Sequence, residues 1–222
     1  MKIMPVVSSS SSSRPYGRVR ACLVAVCAIT ALFSGPLIAA QESDATKASI
    51  RAFVESLNEA SMNFYSGGTE EDARERVRAL IDAKFDVPVM AKYALARAWE
   101  KADAKQREEL LAAMKEDIIT AYLRRMRAPG TKLEFVGFRK PEGEDHLAAS
   151  RRTVPGKADQ IWIWWLRPDG DSWRITDLSV DGHSATATER QEYGTVFIDN
   201  HESVDAVLNF MRTRAARPIQ AE

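Results

Sequence analysis

Cysteine is nearly absent from the 222-residue chain: Cys22 and Cys27 are its only two, and both sit in one apolar run near the start. Everything after that run is without a thiol, which excludes disulfides, cysteine-ligated zinc and cysteine nucleophiles there. Histidine is scarce as well. His146, His183 and His201 are too widely spaced to read as a metal-ligand set. No serine stands in a nucleophile elbow, and no glycine-rich phosphate loop follows a candidate strand. Internal repeats are missing, and the only low-complexity stretch is the serine run before Arg14.

An excess of basic charge is also missing. Over the whole chain 31 Lys and Arg balance 31 Asp and Glu, but the balance is uneven. Lys2, Arg14, Arg18 and Arg20 precede Gln41 and no acid does, so 27 basic residues face 31 acidic ones beyond it, a net charge of −4. A mildly acidic, mixed surface speaks against nucleic acid, which selects a basic face. It speaks equally against a peripheral protein held to anionic lipid by lysines.

The start of the chain has the parts of an export signal. A basic n-region runs to Arg20, an apolar h-region spans Ala21 to Ile38, and Ala39-Ala40 precede Gln41 and Glu42. The expectation is a signal peptide over residues 1–40 and an exported, periplasmic domain from Gln41. The alternative is a single membrane anchor, because the h-region approaches the roughly 20 residues that span a bilayer. Gly35-Pro36 and the two alanines favour cleavage, whereas Ile38 at the −3 position fits it poorly. Val26 directly before Cys27 does not fit a lipoprotein signal.

Beyond Gln41 the first half is patterned for helices. Ile50, Phe53, Val54, Leu57, Met62 and Phe64 recur near helical spacing, and Ser66-Gly67-Gly68 stops them. Thr69 caps a second helix with acids in its first turn. Asp86 opens a third, with Pro88 in its first turn, running to Trp99. A fourth starts near Asp103, carries Leu110, Leu111, Met114, Ile118 and Tyr122 on one stripe, and ends at Pro129-Gly130. The period then changes to two. Lys132–Arg139, His146–Val154, Gln160–Arg167 and Ser172–Val180 read as four strands joined by Pro- and Gly-containing turns. Short turns imply an antiparallel meander. Two helices follow, Thr188–Asn200 and one capped by Ser203. The fold class is α+β: a small four-stranded antiparallel curved sheet covered by helices. Residues 41–130 are helical, 131–181 form the sheet and 183–216 the closing helices, in one domain over 41–217.

The third strand is apolar on both faces, with Ile161, Ile163 and Trp165 on one and Trp162, Trp164 and Leu166 on the other. It is expected to be central and covered twice. Three tryptophans within Trp162–Trp165 are core residues or the wall of a long apolar cavity under the helices, and composition leaves both open. One ionisable cluster ends the fourth strand: Asp177, Asp181 and His183. Asp177 and Asp181 share a face if the strand continues, so a carboxylate there could act as a general base in an exported isomerase- or hydrolase-like enzyme. The plainer reading makes Asp181-Gly182 a turn and pairs Asp177 with an arginine such as Arg174 or Arg190.

The segment Phe85–Leu95, then Trp99 and Ala104-Lys105-Gln106-Arg107, and later Trp173–Asp177, Asp181–Ser184, Arg190 and the helix after Asp205 follow one another in an order that resembles the MlaC/toluene-tolerance family of periplasmic phospholipid-binding ABC transport auxiliary proteins. Three positions depart from it. Ala96 stands where the family tends to have glycine, His183 replaces an apolar residue after the Asp-Gly turn, and His201-Glu202-Ser203 lacks a glycine before the last helix. A related branch is associated with hopanoid biosynthesis, and the bulky aromatics suit a polycyclic ligand as well as acyl tails. The resemblance implies a non-enzymatic, monomeric carrier. It would hold a phospholipid or hopanoid-like lipid between sheet and helices and shuttle it from an inner-membrane ABC-type complex to an outer-membrane lipoprotein complex. It implies no cofactor and no metal. The residues expected at the lipid are Tyr93, Met114, Ile118, Tyr122, Ile161, Ile163 and Trp165, the last three facing the helices, with Asp181 and His183 at the strand exit; the opposite face of the central strand is the alternative. No cluster of cationic residues stands out along the chain, consistent with a head group left in water.

Overall fold

The computed structural model describes residues 43–219; the segment expected to hold an export signal and its cleavage point lies outside the described residues. Helix starts are set by side-chain caps where the sequence places them. Ser43 opens α1 (Asp44–Met62), and Thr69 with Asp72 forms a capping box on α2 (Glu70–Lys84). Asp86 caps α3 (Val87–Leu95), and Asp103 with Gln106 boxes the start of α5 (Ala104–Met126). Ser184 and Ser203 cap α6 (Ala185–Asp199) and α7 (Val204–Ala215). Each cap gives an otherwise unpaired backbone N–H an acceptor, worth about 1 kcal/mol.

The third helix stops earlier than its apolar pattern implies. At Ala96 the backbone turns to φ +43°, and a short α4 (Arg97–Lys101) starts afresh. Ala96 still donates to the Lys92 carbonyl and accepts from Glu100, so both helix ends are closed through one residue in a conformation that favours glycine.

The sheet is an open antiparallel meander of β1 (Lys132–Glu142), β2 (Asp145–Thr153), β3 (Gln160–Asp169) and β4 (Ser172–Val180). A two-residue β5 (His183–Ser184) pairs back on β4 as a fifth strand. Two register shifts set which side chains face the helices. In β1 the shift between Phe135 and Gly137 returns Phe135 and Phe138 to the same face, where their rings meet edge-to-face at 5.2 Å. In β4, Trp165 pairs with Asp177 but Leu166 pairs with Ile175. That slip keeps Trp173 and Ile175 in phase with Leu178 and Val180. Outside the ladder, Asp86 N–H donates to the Ile175 carbonyl and Phe85 forms an isolated parallel bridge beside it.

The central strand turns the opposite way from the expected one. Trp162, Trp164 and Leu166 are fully buried against the helices, whereas Ile161, Ile163 and Trp165 lie on the other face and are only half-buried. The reason is polar as well as apolar. Trp164 Nε1 donates to Ser150 Oγ, which donates to Asn58 Oδ1 on α1, a chain of bonds available only to this face. Trp162 meets Tyr122 edge-to-face at 6.0 Å, and the Tyr122 ring also packs on Phe64 and Phe85. The Tyr122 hydroxyl bonds Ser61 Oγ, and burial holds its pKa well above the usual phenol value.

The conformation at Ala96 gives a test of this backbone reading. Ala96→Gly is expected to raise stability by about 1 kcal/mol, since it removes backbone strain that exceeds the entropy cost of glycine. Chemical denaturation reads it; an unchanged or lowered midpoint contradicts it.

Candidate functional site

A cavity of about 400 Å³ opens between the C-terminal half of α5, the start of α6, the end of α7 and the last residues of β4. Helical spacing builds it: Asp117, Ile118, Ala121, Tyr122, Arg124 and Arg125 form one stripe of α5, and Phe210, Arg214 and Arg217 one stripe of α7 and its extension. Its floor is apolar, made by Phe85, Met90, Ile118, Tyr122, Leu178 and Val180. Its walls are charged. A broader, more open depression of about 650 Å³ lies beyond Phe85, but the cations on its rim are already paired, Lys115 with Asp82, Arg174 with Asp169 and Arg167 with Asp145.

The charged wall centres on Arg214. Its Nε lies 2.8 and 2.7 Å from the two carboxylate oxygens of buried Asp117, and its Nη2 also bonds Asp117. The same guanidinium reaches Glu192 at 2.5 Å and Glu189 at 3.3 Å, and covers the Tyr193 ring at 5.1 Å. Tyr193 in turn donates to Asp117 at 3.0 Å. Burial alone would lower the Arg214 pKa, but its hydrogen bonds to Asp117 and the surrounding negative charge raise it. Burial raises the Tyr193 pKa far above the ordinary phenol range, helped by Glu189 and Asp117. For Glu189, burial is the largest effect, opposed by Arg214 and reinforced by Asp117, Asp177 and Glu192, and its pKa is pushed up to about 8. Glu189 Oε2 is buried and has no hydrogen-bond partner.

Of the residues expected at a ligand, Ile118, Tyr122 and His183 line this cavity. Met114 is fully buried, with its sulfur 3.8 Å from the Tyr193 hydroxyl. Tyr93 is half exposed on the surface, where Arg190 stacks on its ring at 5.1 Å and donates to its carbonyl. Ile161, Ile163 and Trp165 are on the far face of the sheet, where Trp165 Nε1 donates to Ser179 Oγ. The strand does not continue to Asp181, which sits in a turn at φ +50° and accepts from Ile161 N–H at 2.9 Å. Asp177 accepts from Leu178 and Thr186 N–H and from the Ser184 hydroxyl, so it organises the start of α6 rather than pairing with Arg174 or Arg190. Among the described residues no group of three or more His, Cys, Asp or Glu is placed to hold a metal ion.

The sequence reading missed Phe85, Met90, Leu178 and Val180 in the floor and Phe210 and the arginines around it. For β4 a signal existed. The apolar positions 173, 175, 178 and 180 change phase once, which is the mark of a bulged strand with one apolar face. For the arginines none existed, because Arg124 and Arg217 are joined only by the packing of α5 on α7.

An open meander with helices enclosing a half-apolar cavity defines a ligand-holding α+β domain. The same fold occurs in a phospholipid-binding protein from Ralstonia solanacearum, solved in complex with a phospholipid: the TM-score is 0.61 at 16% identity, covering 75% of this chain and 96% of that one. The chain belongs to the MlaC family, whose model, described as MlaC protein, matches residues 60–213. No curated protein matches its sequence.

The buried carboxyl yields a pH test. A folded-state pKa raised above 4.5 means that the neutral form of Glu189 favours folding; that contribution is full below about pH 4.5 and is lost as pH rises through about 8. Glu189→Gln, neutral throughout, is expected to lose less Tm than the parent protein between about pH 5 and about pH 8.5. Parallel thermal melts that fall equally would refute the assignment.

Proposed function

We propose that this protein is a lipid carrier which holds one phospholipid molecule in the α5–α7 cavity and transfers it across the periplasm without making or breaking bonds. Membership of the MlaC family and the phospholipid held by a protein of the same fold support lipid binding. The observation that carries the reading is the cavity itself. Its apolar floor lies against Leu178 and Val180 at the end of β4, its volume of about 400 Å³ falls in the range of small-molecule pockets, and its walls are charged. Acyl tails entering it replace membrane contacts with Ile118, Tyr122, Leu178 and Val180 at about 25 cal/mol per Å² of apolar surface, so loss to water is slow and delivery needs an acceptor. The donor and acceptor in this reading are an inner-membrane ABC-type lipid transport complex and an outer-membrane lipoprotein complex, which the acidic exterior reaches by docking rather than by adsorbing to anionic bilayers.

Asp177 and Asp181 have structural partners in this arrangement, and in this reading the cavity residues hold a molecule without transforming it.

Native mass spectrometry of the protein purified from its host is expected to find a lipid of one-to-one stoichiometry. Ala121→Trp fills the cavity from α5 and should cut that lipid several-fold with little loss of Tm, because a side chain that enters open space meets no packed neighbour. Ile163→Trp, on the far face of the sheet, should leave the lipid in place. A clean apo mass for the parent protein, or lipid lost in Ile163→Trp and kept in Ala121→Trp, overturns the site.

A further inference from the structure

The arginines of this fold are, with few exceptions, tied down. Arg78 holds Glu75 and Glu116, Arg127 holds Glu70, Arg167 holds Asp145 and Arg212 holds Glu109. The cavity is where this stops. Among the described residues Arg124 and Arg217 make no side-chain hydrogen bond or ion pair, and Arg125 makes only a 3.4 Å bond to the Ala121 carbonyl of its own helix. All three line the cavity, from the end of α5 and from the chain just after α7.

The acids that share the wall do not neutralise them. Asp117 and Glu192 are spent on Arg214, and Glu189 shares the same guanidinium. Burial keeps Glu189 largely uncharged at neutral pH, so it does not offset the arginines either. Gathering like charges without a carboxylate is electrostatically unfavourable until an anion joins them, and a guanidinium offers a phosphate two parallel donors. We propose that Arg124, Arg125 and Arg217 form an oxyanion-receiving lip over the apolar floor that seats the head-group phosphate of the cargo. This rests on the carrier reading above. It also assigns an orientation: tails on the floor along Ile118, Tyr122, Leu178 and Val180, phosphate at the ends of α5 and α7.

The test uses the full-length protein, stripped of co-purified lipid and incubated with phosphatidylcholine vesicles containing equal small fractions of dioleoylphosphatidylglycerol and dioleoylglycerol. These two have the same tails and differ at the phosphate. Native mass spectrometry reads the ratio bound. The parent protein should favour the phosphatidylglycerol by about ten-fold or more, the worth of charge-assisted hydrogen bonds. The Arg124→Gln/Arg217→Gln double variant, checked for an unchanged Tm, should bring the ratio close to one. Arg212→Gln, an exposed arginine paired with Glu109 away from the cavity, should keep the parent ratio. A second arm adds inorganic phosphate against chloride at equal ionic strength. Selectivity that depends on the two arginines supports the lip. Equal uptake of both lipids by the parent overturns it while leaving the carrier reading intact, as does a lip that takes inorganic phosphate without preferring the phosphatidylglycerol. Binding of neither lipid overturns the carrier reading and the lip together.

Discussion

Everything in this fold depends on which face of β3 meets the helices. A strand that is apolar on both sides has two nearly equal ways to pack, and a one-residue change of register would exchange them. Packing makes the choice and hydrogen bonding assists it at one side chain only, since Trp162 Nε1 is buried without a partner and Trp165 Nε1 finds Ser179 on the far face. An indole buried on the helix side finds a partner through Ser150 and Asn58, and Tyr122 adds its ring to Trp162 and its hydroxyl to Ser61. With that face chosen, the slip in β4 brings Leu178 and Val180 under α5, and the cavity floor follows.

Above that floor the protein keeps an unusual concentration of charge. A buried ion pair offers little net stability, because desolvation offsets much of the attraction. The Asp117–Arg214 pair is better understood as positioning. It fixes α7 against α5, and further hydrogen bonds of the guanidinium hold Glu192 and Glu189 of α6 in the same knot. Three helices are thereby registered around the cavity. A purely apolar joint would fill such a hole by sliding; a directional one keeps it open.

The sequence made the scaffold legible and the site only partly so. Caps at Thr69, Asp86, Asp103 and Ser203 and the turns between strands are local signals, and the structure uses each of them. The α+β class and the meander follow from that local grammar. The break at Ala96 was hidden because nothing in alanine itself announces a left-handed backbone. The face of β3 was hidden because both faces are equally apolar, and Asn58, which closes the hydrogen-bond chain from Trp164 through Ser150, is about 100 residues earlier. The joint of Arg214 with Asp117 spans a similar stretch of chain. Ile118, Tyr122 and His183 could be placed at the site because they sit on a regular helix stripe or at a strand end, whereas the guanidinium lip is a product of tertiary packing alone.

The short bridge between Phe85 and Ile175 has a consequence of another kind. A sheet that ends in free backbone groups is a template for another strand, and polymerisation follows from it. Here the outer edge of β4 is occupied: Asp86 donates to Ile175, Arg174 reaches the Asp82 carbonyl, and β5 pairs with Ser179 and Val180. Among the described residues only β1 presents an edge, and it is bulged and studded with exposed Lys132, Glu134 and Arg139. The polypeptide can thus keep an apolar hollow at one end of its sheet without offering a ladder at either side on which copies of itself could grow.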